Sequence, residues 1–317
     1  MHVDRTTRNL AIANLVAQIG IIITGGLVRL TGSGLGCSQW PLCEPGQFTP
    51  QFREESSIHP YIEFGNRTLT GVLGIIAVLL IIAVYRRQPT RSRPQMKRLA
   101  WWPLIGIIVQ AIIGGITVWV DLHPAVVGLH MLISLSLVAV SAYIIWRLHR
   151  PDSEPSLLLP QAKTLTYAVS LSAALLVILG TVVTGAGPHS GDATEPYRWG
   201  MDTVMISRVH ALSAWLFTAV AVTGLVLLIR RRREAPSHDL EVAIRAWSAV
   251  LGVTLLNGII GYVQHATNLP EPLVLAHMLG SALLVASVAY ATSALHPRSI
   301  EHRGRHVASE SAAARQG

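Results

Sequence analysis

Residues 110–139 read QAIIGGITVWVDLHPAVVGLHMLISLSLVA, and residues 257–286 read NGIIGYVQHATNLPEPLVLAHMLGSALLVA. Aligned without a gap, the two stretches pair Ile112 with Ile259, Gly114 with Gly261 and Asp121 with Asn268, and they set the His-Met-Leu at His130 on the same triplet at His277. Each is an apolar run, a short polar break and a second apolar run that carries one histidine about two turns in. That is the pattern of a helical hairpin with a metal-ligand candidate near one end, written twice.

The rest of the chain has the composition of a membrane protein. Of its 317 residues 51% are hydrophobic and only 13% charged, where a soluble domain would carry about a quarter charged. Apolar runs long enough to cross a bilayer, roughly 20 residues each, fall at 9–28, 61–85, 100–120, 124–146, 165–184, 203–229, 246–265 and 271–295. The sequence therefore predicts an all-α membrane protein of about eight spans.

The net charge of +8 is explained by topology and not by nucleic acid. Basic residues sit on alternate connections: Arg5 and Arg8 before the first span, Arg86 to Arg98 between the second and third, and Arg147, Arg150 and Lys163 after the fourth. Arg230 to Arg233 follow the sixth span, and Arg298, Arg303 and Arg305 follow the eighth. The bias of Lys and Arg toward cytoplasmic loops then puts both termini in the cytoplasm of a multi-pass cell-membrane protein. The first span lacks a small-residue cleavage site and reads as a retained helix. The polar tail after His296 reads as disordered.

Cys37 and Cys43 fall in the first outer loop, where disulfides persist. A local disulfide is favoured over two free thiols, and a metal site is disfavoured because the pair lacks further Cys or His ligands. Beyond the acidic Glu54 and Glu55 and His59, the second span opens with YIEFGNRTLTG, which puts Glu63 just inside the apolar stretch. An unpaired carboxylate is expensive there. Glu63 is either a working group or a partner for Arg67 one turn away, and the two roles are compatible.

The first span is echoed as well. Gly20-Ile-Ile-Ile-Thr24-Gly25 returns as Gly180-Thr-Val-Val-Thr184-Gly185, and MISRVHALSAW on the sixth span sets His210 against Asn66 on the second. Four spans return the chain to the same side, so the duplication is parallel. It predicts two tandem, pseudo-symmetric four-helix bundles: an N-terminal half at 1–150, a cytoplasmic linker at 151–163, a C-terminal half at 164–296 and a tail at 297–317.

Duplication leaves four equivalent positions: Asn66, His130, His210 and His277. In the second half both are histidines, and two imidazoles projecting into a bundle core can hold one haem iron from both sides. In the first half the partner of His130 is Asn66, a poor ligand for haem iron. A porphyrin there would be held by His130 alone, by His130 with His59 or His123, or with one position open, and Glu63 would lie one turn above Asn66. Arg67 and Arg208 are candidates to neutralise porphyrin propionates, although arginines near helix ends also snorkel without a ligand. His189, His238 and His265 read as surface or interfacial.

These residues resemble the haem A synthase family over nearly the whole chain. The motifs that carry the resemblance are TGSGLGCSQWPLC (residues 31–43), EFGNR (63–67) and the histidines of GLHML, SRVHAL and LAHML. The cysteine pair is similar to that of the bacterial branch with a disulfide in this loop. The resemblance implies an enzyme that oxidises the C8 methyl group of haem O to the formyl group of haem A, with oxygen from water and electrons leaving through a b-type haem. It implies His210 and His277 as ligands of haem b, His130 facing the substrate haem and Glu63 at the reacting centre. Implied partners are haem O as substrate, haem O synthase and oxidase assembly factors, with lipid-facing surfaces open to homo-oligomers. Asn66 departs from the family, many of whose members have a second histidine pair.

Two other functions compete. A non-catalytic membrane cytochrome b serving quinone-linked electron transfer shares the His210 and His277 pair but has no use for Glu63. A transporter also fits duplicated halves, but it calls for charged or broken helices at mid-membrane, whereas the polar residues here cluster toward the outer ends.

Overall fold

The computed structural model describes residues 3–51, 57–150, 152, 157–192 and 197–297. The expectations for nearly all of the tail, for Glu54 and Glu55 and for part of the linker (151 and 153–156) lie outside these residues. Eight helices are long and apolar enough to cross a membrane. They are α1 (Arg5–Leu30), α2 (His59–Arg86), α3 (Pro94–Trp119, interrupted at Ala100), α4 (Pro124–Leu148), α5 (Ala162–Ala186), α6 (Thr203–Glu234), α7 (His238–Ala266) and α8 (Glu271–Ala294). Among the described residues there is no strand, only two isolated bridges, Ser33 with Asp192 and Glu44 with Gln47.

The helices overrun the apolar stretches where charge can still be satisfied. α6 continues through Arg230 to Arg233 and α7 starts at His238, well before the apolar run at 246. Ser237 caps α7 by accepting the Leu240 N–H at 3.2 Å, and Arg232 meets Glu241 at 3.3 Å. A capped helical hairpin with cross-pairs needs no lipid around it. At the opposite side of the sequence, Asp4 caps α1 by accepting the Thr7 N–H at 3.0 Å.

Packing runs around two rings. In the first, α1 packs on α2, α2 on α3, α3 on α4 and α4 back on α1; in the second, α5 packs on α6, α6 on α7, α7 on α8 and α8 on α5. In each ring the helices bearing the singled-out positions, α2 with α4 and α6 with α8, stand diagonally. The rings meet through α4 with α8, α1 with α8 and α4 with α5. Lipid tails are as apolar as leucine, so close fit and not exclusion from water drives this association. Small residues supply the fit: Ala162, Ala173, Ala221, Ala243, Ala246, Ala291 and Ala294 line the core of the second ring around Trp247 and Phe217. Val16, Ile75, Leu171, Leu212, Leu256 and Ile259 point outward, each more than half exposed.

Not every polar side chain lies toward the helix ends. Asn14 and Gln18 are buried midway along α1, and Asn14 donates to the Ser141 hydroxyl at 2.8 Å. Such a bond between apolar helices is worth about 1 kcal/mol, and this one ties α1 to α4.

The two α-hairpins close with the same turn. Asp121 and Leu122 have φ of 49° and 56°, and Asn268 and Leu269 have 61° and 58°. The Leu122 N–H reaches Thr117 O at 2.8 Å, and the Leu269 N–H reaches Gln264 O at 2.7 Å. Left-handed backbone is costly for leucine, and at Leu122 the side chain offsets it by filling the space against Gly34 and Gly191, where no Cβ stands. That contact joins the 31–43 loop to the loop after α5. Gly34 N–H also donates to Gly191 O at 2.8 Å, and Arg29 donates to Thr184 O at 2.8 Å and to the His189 carbonyl.

Candidate functional site

His210 on α6 and His277 on α8 face each other across the second ring, with ring centroids 6.4 Å apart and planes at 79°. They lie seven residues into α6 and six into α8, about 10 Å from each helix start. The His277 Nδ1–H donates to the Asn257 carbonyl at 3.1 Å. A carbonyl can only accept, so this bond fixes the tautomer and leaves the Nε2 lone pair available to a metal. The His210 ring is buried on the Leu176 backbone, four residues before Gly180 as Asn257 is four before Gly261.

Each ring is seated on a glycine of the preceding helix. A Cβ at Gly180 would stand 3.1 Å from His210 Cε1, and one at Gly261 3.1 Å from His277 Cε1. The serine one turn on holds each backbone in place: Ser213 donates to His210 O at 2.6 Å and Ser281 to His277 O at 2.9 Å.

This pair fits the two axial positions of a haem. Two metal–imidazole bonds of about 2 Å each, plus about 1 Å from each ligating nitrogen to its ring centre, span about 6 Å between centroids. Among the described residues no three of His, Cys, Asp and Glu converge as a cage for a bare metal ion. A lone histidine pair instead suits an iron whose remaining ligands come from a macrocycle.

In the first ring His130 on α4 occupies the corresponding depth, six residues from Pro124. It lies beside Gly114, where a Cβ would be 3.5 Å from His130 Cε1. Its carbonyl accepts from Gln110 Nε2 at 2.9 Å and from Ser134 Oγ at 3.0 Å. Its Nδ1, unlike that of His277, is buried and unpartnered. On the diagonal helix Asn66 accepts a hydrogen bond from Thr24 Oγ1 at 2.7 Å.

Glu63 is buried and held from two directions. Its Oε2 accepts the Cys37 N–H at 2.7 Å and its Oε1 accepts from Arg67 at 2.5 Å. Arg67 also donates to Gln39 O at 2.9 Å and Leu42 O at 3.1 Å. Both carbonyls belong to the loop closed by the Cys37–Cys43 disulfide, whose two cysteines are fully buried. The same loop lays Trp40 over α3: a Cβ at Gly115 would fall 2.4 Å from the Trp40 ring, and Trp40 meets Trp119 edge-on at 5.6 Å. Thus Glu63, Arg67 and the disulfide loop form one lid over the end of the first ring where His130 lies.

Other singled-out residues are placed elsewhere. His59 Nδ1 hydrogen-bonds Ser33 Oγ at 2.8 Å. His123 caps α4 and lies against Tyr197. His189 is half-buried with Nε2 on Leu269 O at 3.1 Å, while His238 and His265 are exposed. Arg208 is exposed and without an ion-pair partner among the described residues, whereas Arg67 is committed to Glu63 and the loop. Sequence reasoning did not identify the seats at Gly180 and Gly261, the Asn257 carbonyl or Thr24 as parts of the site. The recurrence of Gly114 at Gly261 and of Gly20 at Gly180 was the available signal.

Residues 8–289 match the family model described as cytochrome oxidase assembly protein, COX15-CtaA. The chain is also similar to proteins named heme A synthase from Bacillus cereus (strain AH187), Bacillus anthracis (strain A0248) and Bacillus thuringiensis subsp. konkukian (strain 97-27). Each is 25% identical over 304 residues, covering 90% of this chain and 92% of the relative. With the family match running from the first helix into the last, the chain belongs to the COX15-CtaA family of cytochrome oxidase assembly proteins.

Proposed function

We propose that the protein oxidises the C8 methyl group of haem O to a formyl group, producing haem A for a terminal oxidase. One methyl group and one water give one formyl group, four protons and four electrons. The reading assigns the first four helices to the visiting substrate and the last four to a resident haem b. What carries it is the contrast between the His210 and His277 pair, fit to close both faces of an iron, and a first ring that pairs His130 with an amide and a buried carboxylate.

Bound between His210 and His277, haem b supplies one-electron chemistry for the electrons released by the oxidation. The protein groups do the rest. His130 meets the substrate iron. With Cys37, Arg67 and Gly36 as donors, Glu63 still keeps one lone pair, enough to accept a proton from water or to oppose positive charge at the methyl carbon. Arg67 and the Cys37 amide fix the direction in which that carboxylate points. Trp40 and the disulfide loop cover the site and limit bulk water.

The test is haem extraction from cells that make this protein together with a source of haem O. The reading expects a formyl-bearing haem from the wild type. It also expects Glu63→Gln to retain the six-coordinate spectrum of the second ring while conversion falls at least about 100-fold, the usual scale for a lost acid–base group. His210→Ala and His277→Ala should lose that spectrum. Unchanged haem O beside an intact six-coordinate spectrum in the wild type would instead make the protein a non-catalytic cytochrome b.

A further inference from the structure

Three of the four equivalent positions place an imidazole beside a glycine of the preceding helix: His130 by Gly114, His210 by Gly180 and His277 by Gly261. The fourth does not. Asn66 lies seven residues into α2, as His210 does in α6, and the glycine that echoes Gly180 is Gly20 on α1. A Cβ placed on Gly20 would meet nothing within 4 Å. Where the second ring has an imidazole edge, the first has open space.

Asn66 is turned and fixed at the border of that space. Thr24 Oγ1 is 2.7 Å from Asn66 Oδ1 and 3.2 Å from the carbonyl of Ile21; the shorter contact takes the single hydroxyl hydrogen. This commits the amide oxygen to α1 and leaves Nδ2, with two hydrogens, donating to no acceptor among the described residues. A carboxamide is a poor ligand for iron but a good donor to an atom bound on iron. In haem sites, the donors and free volume on the face opposite the protein ligand decide whether that face binds a small molecule.

We infer that Gly20, Thr24 and Asn66 form a small-ligand site on the face of the substrate haem opposite His130. The site binds water, or in its place a small anion such as azide, through a hydrogen bond from Asn66 Nδ2. The inference rests on the proposed reading that His130 faces haem O, and it adds what occupies the open face of that haem. Asn66 contacts the bound water directly and leaves the iron position open. Thr24 acts through Asn66 by holding the amide the right way round.

The experiment uses the full chain loaded with ferric haem O in the absence of an electron acceptor, so that no oxidation proceeds, and reads the iron spin state while azide is titrated. The wild type should carry two haems per chain: a low-spin one indifferent to azide, from His210 and His277, and a high-spin one that azide converts to low spin. Asn66→His should remove the high-spin component and the azide response together. Asn66→Leu, similar in size but without a donor, should stay high-spin and bind azide about tenfold more weakly, the loss of one hydrogen bond to a charged ligand. Thr24→Val should weaken azide in the same direction but less. The low-spin signal of the second ring reports in every variant that the chain has folded.

A second haem that is already low-spin and blind to azide in the wild type would overturn the inference while leaving the substrate site standing, as would Asn66→Leu binding azide as tightly as the wild type. A single haem per chain, unchanged in His130→Ala, would overturn the underlying reading of the first ring and this inference with it.

Discussion

The imidazole of His277 donates its Nδ1 hydrogen to the Asn257 carbonyl at 3.1 Å, whereas the imidazole of His130, at the matching place in the first ring, has no acceptor for the same nitrogen among the described residues. The bond fixes the tautomer of His277 and makes its Nε2 the more basic nitrogen; His130 lacks that bond. Outer hydrogen bonds of this kind change metal affinity by about 10–100-fold.

From this difference follows an order of release. With both sites loaded, haem held by the second ring should leave to an excess of a soluble haem scavenger about 10–100 times more slowly than haem facing His130. Stopped-flow transfer, resolved by the two spectra, checks it. Equal rates would mean that the Asn257 carbonyl contributes nothing to retention.

The glycine seats make a second contrast. A Cβ at Gly180 or Gly261 would stand 3.1 Å from a histidine ring, while at Gly20 it meets nothing within 4 Å. Gly180→Val and Gly261→Val should push the rings off axis, at an overpacking cost of about 1–3 kcal/mol, and lower haem occupancy in the purified protein. Gly20→Ala should leave haem occupancy unchanged and should not lower thermal stability, since alanine favours a helix interior by about 1 kcal/mol over glycine. Haem content per chain after purification separates the two classes.

Arg67 supports more than one partner, so its loss should be felt in the loop. Arg67→Met leaves the buried Glu63 with backbone donors alone, from Cys37 and Gly36, and frees the carbonyls of Gln39 and Leu42. Breaking a buried pair by removing one member costs on the order of 3 kcal/mol. The expected outcomes are a lower midpoint of thermal unfolding in detergent and faster reduction of the Cys37–Cys43 disulfide, read by thiol labelling. Glu63→Gln, which keeps an acceptor for the Cys37 N–H, should loosen the loop less.

Acid should fray the start of α1. The Thr7 backbone N–H, bonded to the Asp4 carboxylate, holds this group below its ordinary value of 3.8. A carboxyl depressed in the folded state contributes stability that is present above the ordinary value and is lost as pH falls through the folded one. Amide exchange at the first turn of α1 should therefore accelerate only below about pH 4. In Asp4→Ala it should already be fast at neutral pH, with no further acceleration tied to this group.

Much of this architecture was legible because stretches of the sequence recur. His130, His210 and His277 could be picked out of thirteen histidines since their neighbours recur, and the eight spans followed from apolar length alone. What escaped was set by the path of loops and by reach across space. Nothing in the order of residues reveals that Arg67 reaches two carbonyls some 25 positions earlier, or that Trp40 rests on Gly115. The extension of α6 and α7 beyond the apolar runs escaped too, because a charged segment capped by Ser237 looks like a loop when only hydropathy is read.

His130 and His277 each stand six residues from the start of a helix, and both helices start at the same end of the bundle. Charge passing between centres at those two places travels sideways, along the plane of the bilayer. A full crossing against the transmembrane potential costs about 2.3 kcal/mol per charge for every 100 mV, but lateral movement does no such work. Under the proposed function, an electron step between the two rings should therefore run at the same rate in energised vesicles and in collapsed ones.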